Sequence, residues 1–281
     1  MKTFFVPVVG HEGLETLLAT ACLAAQHFDG LIEGACILPA LADYVDLVGD
    51  LPWTRGEQTP WADRLHTEAL AFHEAFAAAL MRRGIREAGA PGSGPSYRWH
   101  SGPLTGDDAM SQHSRLFSAS IVRRPKYAKP SFAMESFQAL LFESGRPVLI
   151  SPPISPTSLG ETIMIAWNGS TETTRAVVFA MPFLRKARQV VVLEVEGSSV
   201  PGPTSRELAM ALKCEGVLAE GRTVTASKFP SGEIFLAEAQ ALGCDLLIKG
   251  AYTQSRLRQI FFGGATSHIL HHAELPVLMA H

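Results

Sequence analysis

In its second half the chain alternates apolar segments with segments of helical spacing, and this alternation limits the folds that it can adopt. Thr162–Trp167, Gln189–Val195 and Asp245–Ile248 are apolar runs of strand length, and between them Thr171–Leu184 and Ser205–Glu215 have helical spacing. Continuous apolar strands that alternate with helices indicate a parallel sheet covered on both faces. The pattern predicts an α/β, doubly wound domain, in which ligands bind beyond the carboxyl ends of the strands.

The first half of the chain repeats this plan. Phe4–Gly10 is an apolar run that ends in glycine, as Ile163–Gly169 is later, and each half closes on a Pro-Val-Leu strand. A length of 281 residues suits two cores better than one. We predict two tandem domains, 1–152 and 160–281, each with a five-stranded, mainly parallel sheet. The proline-rich stretch Ser151–Thr157 is the predicted linker.

Composition narrows the classes of partner. The net charge is −3 and the pI is near 6.4, so no nucleic acid partner is expected. The sequence has no apolar run of about 18 residues, so no membrane span is expected. The four cysteines are scattered through apolar segments, and no two of them have the Cys-x-x-Cys spacing. This distribution favours reduced, buried thiols. A cytoplasmic protein is predicted.

The segment that carries candidate chemistry is Lys249–Thr266, which follows a strand and leads into a helix at about Gly264. Glycines there let backbone amides approach an anion, and the start of a helix adds partial positive charge. Arg256 and Arg258 supply cationic donors for phosphates. The competing interpretation is a tight strand-to-helix connection without a ligand.

Together with its flanks, this segment resembles the universal stress protein family. In the nucleotide-binding members a strand leads into a Gly-x2-Gly-x9-Gly-(Ser/Thr) loop, a helix and a closing Pro-Val-Leu strand. Gly250 matches the first glycine and Gly263 the third, Thr253 stands at the second, and Gly264 takes the Ser/Thr place. Thr266 lies two residues further on. Asn168-Gly169-Ser170 resembles the family's Asp-Gly-Ser-like turn after the first strand.

The resemblance implies an adenine-nucleotide α-hydrolase-like fold and a nucleotide-responsive stress regulator that binds ATP or AMP. We also predict an intramolecular pseudo-dimer of the two domains, because each closing Pro-Val-Leu strand leaves a pairing-competent edge and antiparallel pairing would bury both edges; a homodimer is the further alternative. The binding residues that we predict are Ala166, Trp167, Asn168, Ser170, Glu194, Gly250, Arg256, Gly263, Gly264, Ala265 and Thr266.

Several positions depart from the family pattern. Thr253 replaces a glycine and Asn168 an aspartate, and loss of the carboxylate weakens the case for bound Mg²⁺. Arg123–Pro130 occupies the loop position of the first half without a glycine, so that domain is expected to be degenerate and empty. The alternative function is a non-nucleotide interaction module that has lost its site. A third is an enzyme of the wider α-hydrolase-like class.

Other motifs carry less weight. No catalytic residue is predicted and hydrolysis of ATP is expected to be slow at most, since the sequence has no Gly-x-Ser-x-Gly elbow and no Walker loop. His268 and His272 have metal-ligand spacing on a helix, but they suit a helix end better, and no metal site is predicted. The inserted segment Ala40–Pro60, with Trp53, is expected to lie across the first domain.

Overall fold

The computed structural model describes residues 1–38, 58–89, 94–125, 132–225, 229–251 and 264–281. The chain forms two compact units, and Ser144/Gly145 is the main division between them. The first contains Met1–Val122 and Lys126–Ser144, and the second contains Arg123–Pro125 and Gly145–His281. Most of the predicted insertion, including Trp53, lies outside the described residues.

The first unit has a parallel sheet. In chain order the elements of this unit are β1 (Thr3–Val8), α1 (Leu14–Phe28), β2 (Leu31–Leu38), α2 (Gln58–Arg82), β3 (Arg86–Glu87), β4 (Ser96–Trp99), β5 (Leu104–Thr105), α3 (Gly106–Ser114), β6 (Ala119–Arg123) and α4 (Phe132–Glu143). The strand order of the sheet is β3-β4-β2-β1-β6, and a short strand, β5, also pairs with β2.

The elements of the second unit are β7 (Val148–Ser151), β8 (Thr162–Trp167), α5 (Thr171–Leu184), β9 (Gln189–Val195), α6 (Ser205–Cys214), β10 (Ala219–Val224), α7 (Ser231–Ala241), β11 (Leu246–Gly250), α8 (Ala265–His272) and β12 (Val277–Ala280). Its strand order is β10-β9-β8-β11-β12-β7, and all neighbours are parallel except the last pair. The predicted α/β doubly wound class is confirmed.

The two Pro-Val-Leu strands pair antiparallel, as predicted. Val277 of β12 lies opposite Ile150 of β7, and Met279 lies opposite Val148. Because of this pairing β7 belongs by its contacts to the second unit, although the sequence pattern places it at the end of the first repeat.

Local sequence explains the ends of the helices. The Ser170 hydroxyl accepts a hydrogen bond from the Thr173 amide and caps α5. Thr204 and Glu207 form a reciprocal capping box on α6. A proline usually ends or bends a helix, but Pro182 lies inside α5, which continues to Leu184. The alternating pattern of Thr223–Ser227 predicts an exposed strand there, but the strand begins earlier, because β10 aligns with β9 from Ala219 onward.

Two further expectations concern cysteines and membranes. Cys22 and Cys36 are buried thiols, but Cys244 is half-buried and Cys214 is exposed, so the expectation that all four are buried is wrong. Cys214 lies on the solvent side of the last turn of α6. No helix among the described residues has the length and apolar character needed to cross a bilayer.

Candidate functional site

The sheet of the second unit brings most of the described site residues to one edge. Ala166 of β8 lies beside Lys249 of β11, and Trp167 lies beside Glu194 of β9. Gly250 ends β11 at the same edge. The side chains of Ala166 and Trp167 are buried, so a ligand here would meet their backbone rather than their side chains.

The turn after β8 is ordered by its own side chains. Asn168 Oδ1 accepts hydrogen bonds from the Thr173 hydroxyl at 2.6 Å and from the Ser170 amide at 3.3 Å. Gly169 has φ 75°, a left-handed conformation that favours glycine. Ser170 is buried beneath this turn as the cap of α5. Asn168 therefore supports the start of α5, with its side-chain oxygen directed into the turn.

A loop segment, Val200–Pro203, lies across this turn. The Val200 amide donates to the Asn168 carbonyl at 2.9 Å, and Trp167 Nε1 donates to the Pro203 carbonyl at 2.7 Å. Gly202 approaches so closely that a Cβ there would stand 2.7 Å from the Gly169 carbonyl oxygen. This segment therefore covers the turn after β8.

The Glu194 carboxylate is held by its own neighbourhood. One oxygen accepts from the Ser199 hydroxyl and the other from the Ser205 amide, each at 2.9 Å. Ser205 is the first residue of α6, so the carboxylate also meets the positive end of that helix. A ribose at this position would compete with Ser199 for the first oxygen.

Gly250 is required by packing. A Cβ at this position would stand 2.3 Å from the Thr173 amide nitrogen and 2.6 Å from the Glu172 carbonyl carbon. The start of α5 therefore rests directly on the backbone of β11. The first glycine of the loop motif has a structural function in this chain whether or not a nucleotide binds.

Lys249 is a buried cation at this edge. Its side chain is 6% exposed, and its ammonium donates to the Gly250 carbonyl at 3.0 Å. Burial lowers the pKa of Lys249 to about 8. Side chains alternate along a strand, and position 250 faces α5, so Lys249 faces the opposite side of the sheet. On that side α7 packs against β9 and α8.

The start of α8, at the same edge, has amides without a partner among the residues that the structure describes. Gly264 precedes the helix with φ 98°, and no side chain of the described residues caps the helix. The first amides of a helix have no partners within it, so those of Ala265 and Thr266 are available to an anion. Both residues are partly exposed. Arg256 and Gly263, also predicted to bind, lie outside the described residues, as does Thr253.

Lys249 is not among the binding residues predicted from the sequence. The signal was present, because a lysine follows three apolar residues in Leu246-Leu247-Ile248-Lys249 and immediately precedes the first motif glycine. A charged residue at the carboxyl end of an apolar strand is an expected place for a ligand contact in this fold.

The fold and this edge define a class of protein: a doubly wound α/β domain with parallel strand order β10-β9-β8-β11-β12 and its crevice at the ends of β8 and β11. Residues 161–281 match the family model described as the universal stress protein family. The second half of the chain therefore belongs to the universal stress protein family.

Solved structures match the whole chain in fold. A universal stress protein from Archaeoglobus fulgidus DSM 4304 is 14% identical, with a TM-score of 0.70, and the match covers 99% of this chain and 95% of that one. A protein from Pseudomonas aeruginosa UCBPP-PA14, assigned to the universal stress proteins, is 16% identical with a TM-score of 0.53, covering 100% and 93%. A comparison with curated proteins finds no match.

Proposed function

We propose that the second domain binds an adenine nucleotide, ATP or AMP, and that the chain is a nucleotide-responsive stress regulator in the cytoplasm. The first domain, whose loop has no glycine, stays empty. The proposal rests on the family of residues 161–281 and on one observation above all, the buried ammonium of Lys249 at the edge where such folds bind ligands.

The energetics of Lys249 favour an anionic ligand. A buried charge is costly unless a counter-charge compensates it. The lowered pKa of Lys249 comes from burial, and among the described residues its hydrogen-bond acceptor is an uncharged carbonyl. A phosphate at the end of β11 would supply a compensating negative charge.

The start of α8 would complete a phosphate site. In a parallel α/β sheet the helix after a strand begins at the carboxyl edge of that strand. The amides of Gly264, Ala265 and Thr266 would then meet the same phosphates as Lys249. The adenine and ribose would lie toward the backbone of Ala166–Asn168 and the end of β9. Mg²⁺ is not required, because Asn168 replaces the expected carboxylate.

A second candidate function is the interaction module without a nucleotide. The observation in its favour is that protein groups already fill the part of the crevice where the ribose would lie. Val200–Pro203 lies across the turn after β8, and both Glu194 oxygens have protein donors. If these contacts persist when ATP is present, the crevice is too small for the ligand.

Calorimetric titration with ATP and with AMP tests the proposal. Lys249→Met keeps the length of the side chain and removes its charge, and we expect the affinity for ATP to fall at least tenfold, as loss of a charge-assisted phosphate contact implies. Lys213→Met is the matched control, because Lys213 is exposed on α6. We expect the affinity of that variant to equal that of the natural sequence.

Lys249 is a better probe than Gly264. A branched residue at φ 98° strains the backbone by itself, so loss of binding there would not separate strain from ligand contact. If the natural chain binds neither ATP nor AMP, the interaction module replaces this proposal. If Lys249→Met binds ATP as tightly as the natural chain does, the phosphate site lies elsewhere.

A further inference from the structure

A second cluster of ionisable side chains lies in the first unit, apart from the candidate nucleotide site. Glu33 is in β2, His100 follows β4, and His113 is in the last turn of α3. One ligand atom from each lies within 4.8 Å of the other two. We propose that Glu33, His100 and His113 bind a divalent transition-metal ion of the zinc class.

The Glu33 carboxylate is buried, and its two oxygens have different neighbours. Its side chain is 3% exposed, and Oε2 pairs with the guanidinium of Arg98, its neighbour in register on β4. Oε1 faces the two imidazoles instead, 2.5 Å from His113 Nε2 and 3.7 Å from His100 Nδ1. One oxygen is therefore neutralised, while the other is directed toward two nitrogens.

A hydrogen bond satisfies only one of the two histidines. His113 Nε2 is within hydrogen-bonding distance of Oε1, whereas His100 Nδ1 at 3.7 Å is beyond it. The two rings are 4.5 Å apart, close enough for one ion to contact a nitrogen of each. A cation bound to both nitrogens and to Oε1 would satisfy all three atoms at once.

The distances fit a metal ion. Zinc binds imidazole nitrogen and carboxylate oxygen at about 2.0–2.2 Å, so its ligand atoms in a tetrahedral site stand roughly 3.4 Å apart. The separations of 2.5 and 3.7 Å from Oε1 lie on either side of that value. Small side-chain rotations would equalise them. Two imidazoles and one carboxylate suit zinc and its neighbours in the first transition row.

The surroundings hold the ligands in place. The His113 ring packs edge-on against Phe5 at 5.3 Å and lies 5.4 Å from Phe117. The His100 amide donates to the Gly34 carbonyl, which fixes the backbone of that ligand. Arg98 on the second carboxylate oxygen is an outer partner of the kind that orients metal ligands.

The cluster is accessible to an incoming ion. His100 and Arg98 line a cavity of about 390 Å³ that Cys36, His73 and Trp99 also border. The side chain of His100 is 30% exposed. Three protein ligands leave one position free on a four-coordinate ion, as in zinc sites that bind water or a substrate.

The test is titration of the metal-free, untagged full chain with ZnCl₂, followed by calorimetry. We expect one strong site per chain, and His100→Asn and His113→Asn should each weaken it at least about 100-fold. His73→Asn is the matched control, because His73 lines the same cavity and stacks on Trp99 outside the cluster. It should bind zinc as the natural chain does.

Two further measurements keep the result decisive. Circular dichroism checks that each variant folds. If His113→Asn does not fold, His100→Asn still tests the proposal, because the His100 side chain is partly exposed. Co²⁺ in place of zinc should give the strong visible absorption of a four-coordinate ion, lost in His100→Asn.

His268 and His272 on α8, whose rings are 4.3 Å apart, are a competing exposed site. Loss of zinc binding in His272→Asn instead of His100→Asn overturns the proposal. So does unchanged binding in His100→Asn, or the absence of zinc binding by the natural chain. After any of these outcomes, the structural ion pair with Arg98 would be the function of Glu33.

Discussion

The amide nitrogen of Thr173 stands so close to Gly250 that a Cβ on residue 250 would lie 2.3 Å from it. We expect Gly250→Ala to lower the free energy of unfolding by about 1–3 kcal/mol, because α5 must move away from β11. Urea unfolding measures the change. Gly10→Ala is the control, since a Cβ at Gly10 meets nothing within 4 Å. Equal stability of the two variants would show that α5 does not rest on Gly250.

Lys249→Met should raise stability while it weakens nucleotide binding. The pKa of Lys249 falls from its ordinary value to about 8 in the folded chain. Below pH 8 the buried ammonium is therefore charged, and its burial lowers the free energy of unfolding. A difference of about 2.5 pKa units corresponds to about 3 kcal/mol. Because the unfolded chain binds more protons between pH 8 and about 10.5, the cost decreases as pH rises through this range.

We therefore expect Lys249→Met to be up to about 3 kcal/mol more stable at pH 7 and less than about 1 kcal/mol more stable at pH 10. Urea unfolding at both pH values measures the difference. Burial raises the pKa of Cys22 to about 12 and those of Cys36 and Cys244 to about 11, which destabilises the fold at high pH in both proteins. That contribution cancels in the comparison. A difference independent of pH would contradict the assignment.

Asn168→Asp should restore a carboxylate without disturbing the turn. The oxygen that accepts from Thr173 and Ser170 is retained, and a negative charge at the start of α5 is favourable. We expect stability within about 0.5 kcal/mol of the natural chain. ATP affinity should rise about tenfold in Mg²⁺ and should not rise in EDTA, as titrations in the two buffers would show.

Asn168→Ala is the matched variant for this experiment. It removes both hydrogen bonds of the turn, so it should lose about 1–3 kcal/mol of stability. If Asn168→Asp binds ATP equally with and without Mg²⁺, this side chain does not reach the ligand's metal ion.

Much of the fold was predictable because its signals are local. The spacing of apolar residues predicts a helix over Thr171–Leu184, and α5 is observed at those residues. The sequence does not predict features that depend on contacts between distant parts of the chain. The bounds of β10 depend on its pairing with β9, and β7 joins the second unit through β12.

The candidate site was less predictable for the same reason. The glycine loop and the Asn168 turn are visible in sequence, but the closeness of Gly250 to Thr173 arises only when α5 packs on the sheet. Glu33 and His113 are 80 positions apart in the chain and meet across β2 and α3. No spacing rule connects residues that come together in this way.

A crystal structure of the full chain grown with ATP would show whether the second domain binds the nucleotide at the end of β11. We expect one nucleotide per chain, in the second domain, with a phosphate oxygen about 3 Å from the Lys249 ammonium and from the amides of Ala265 and Thr266. The first domain should hold no nucleotide. A nucleotide in the first domain, or an empty crevice at the end of β11 under saturating ATP, would rule out the proposed phosphate site.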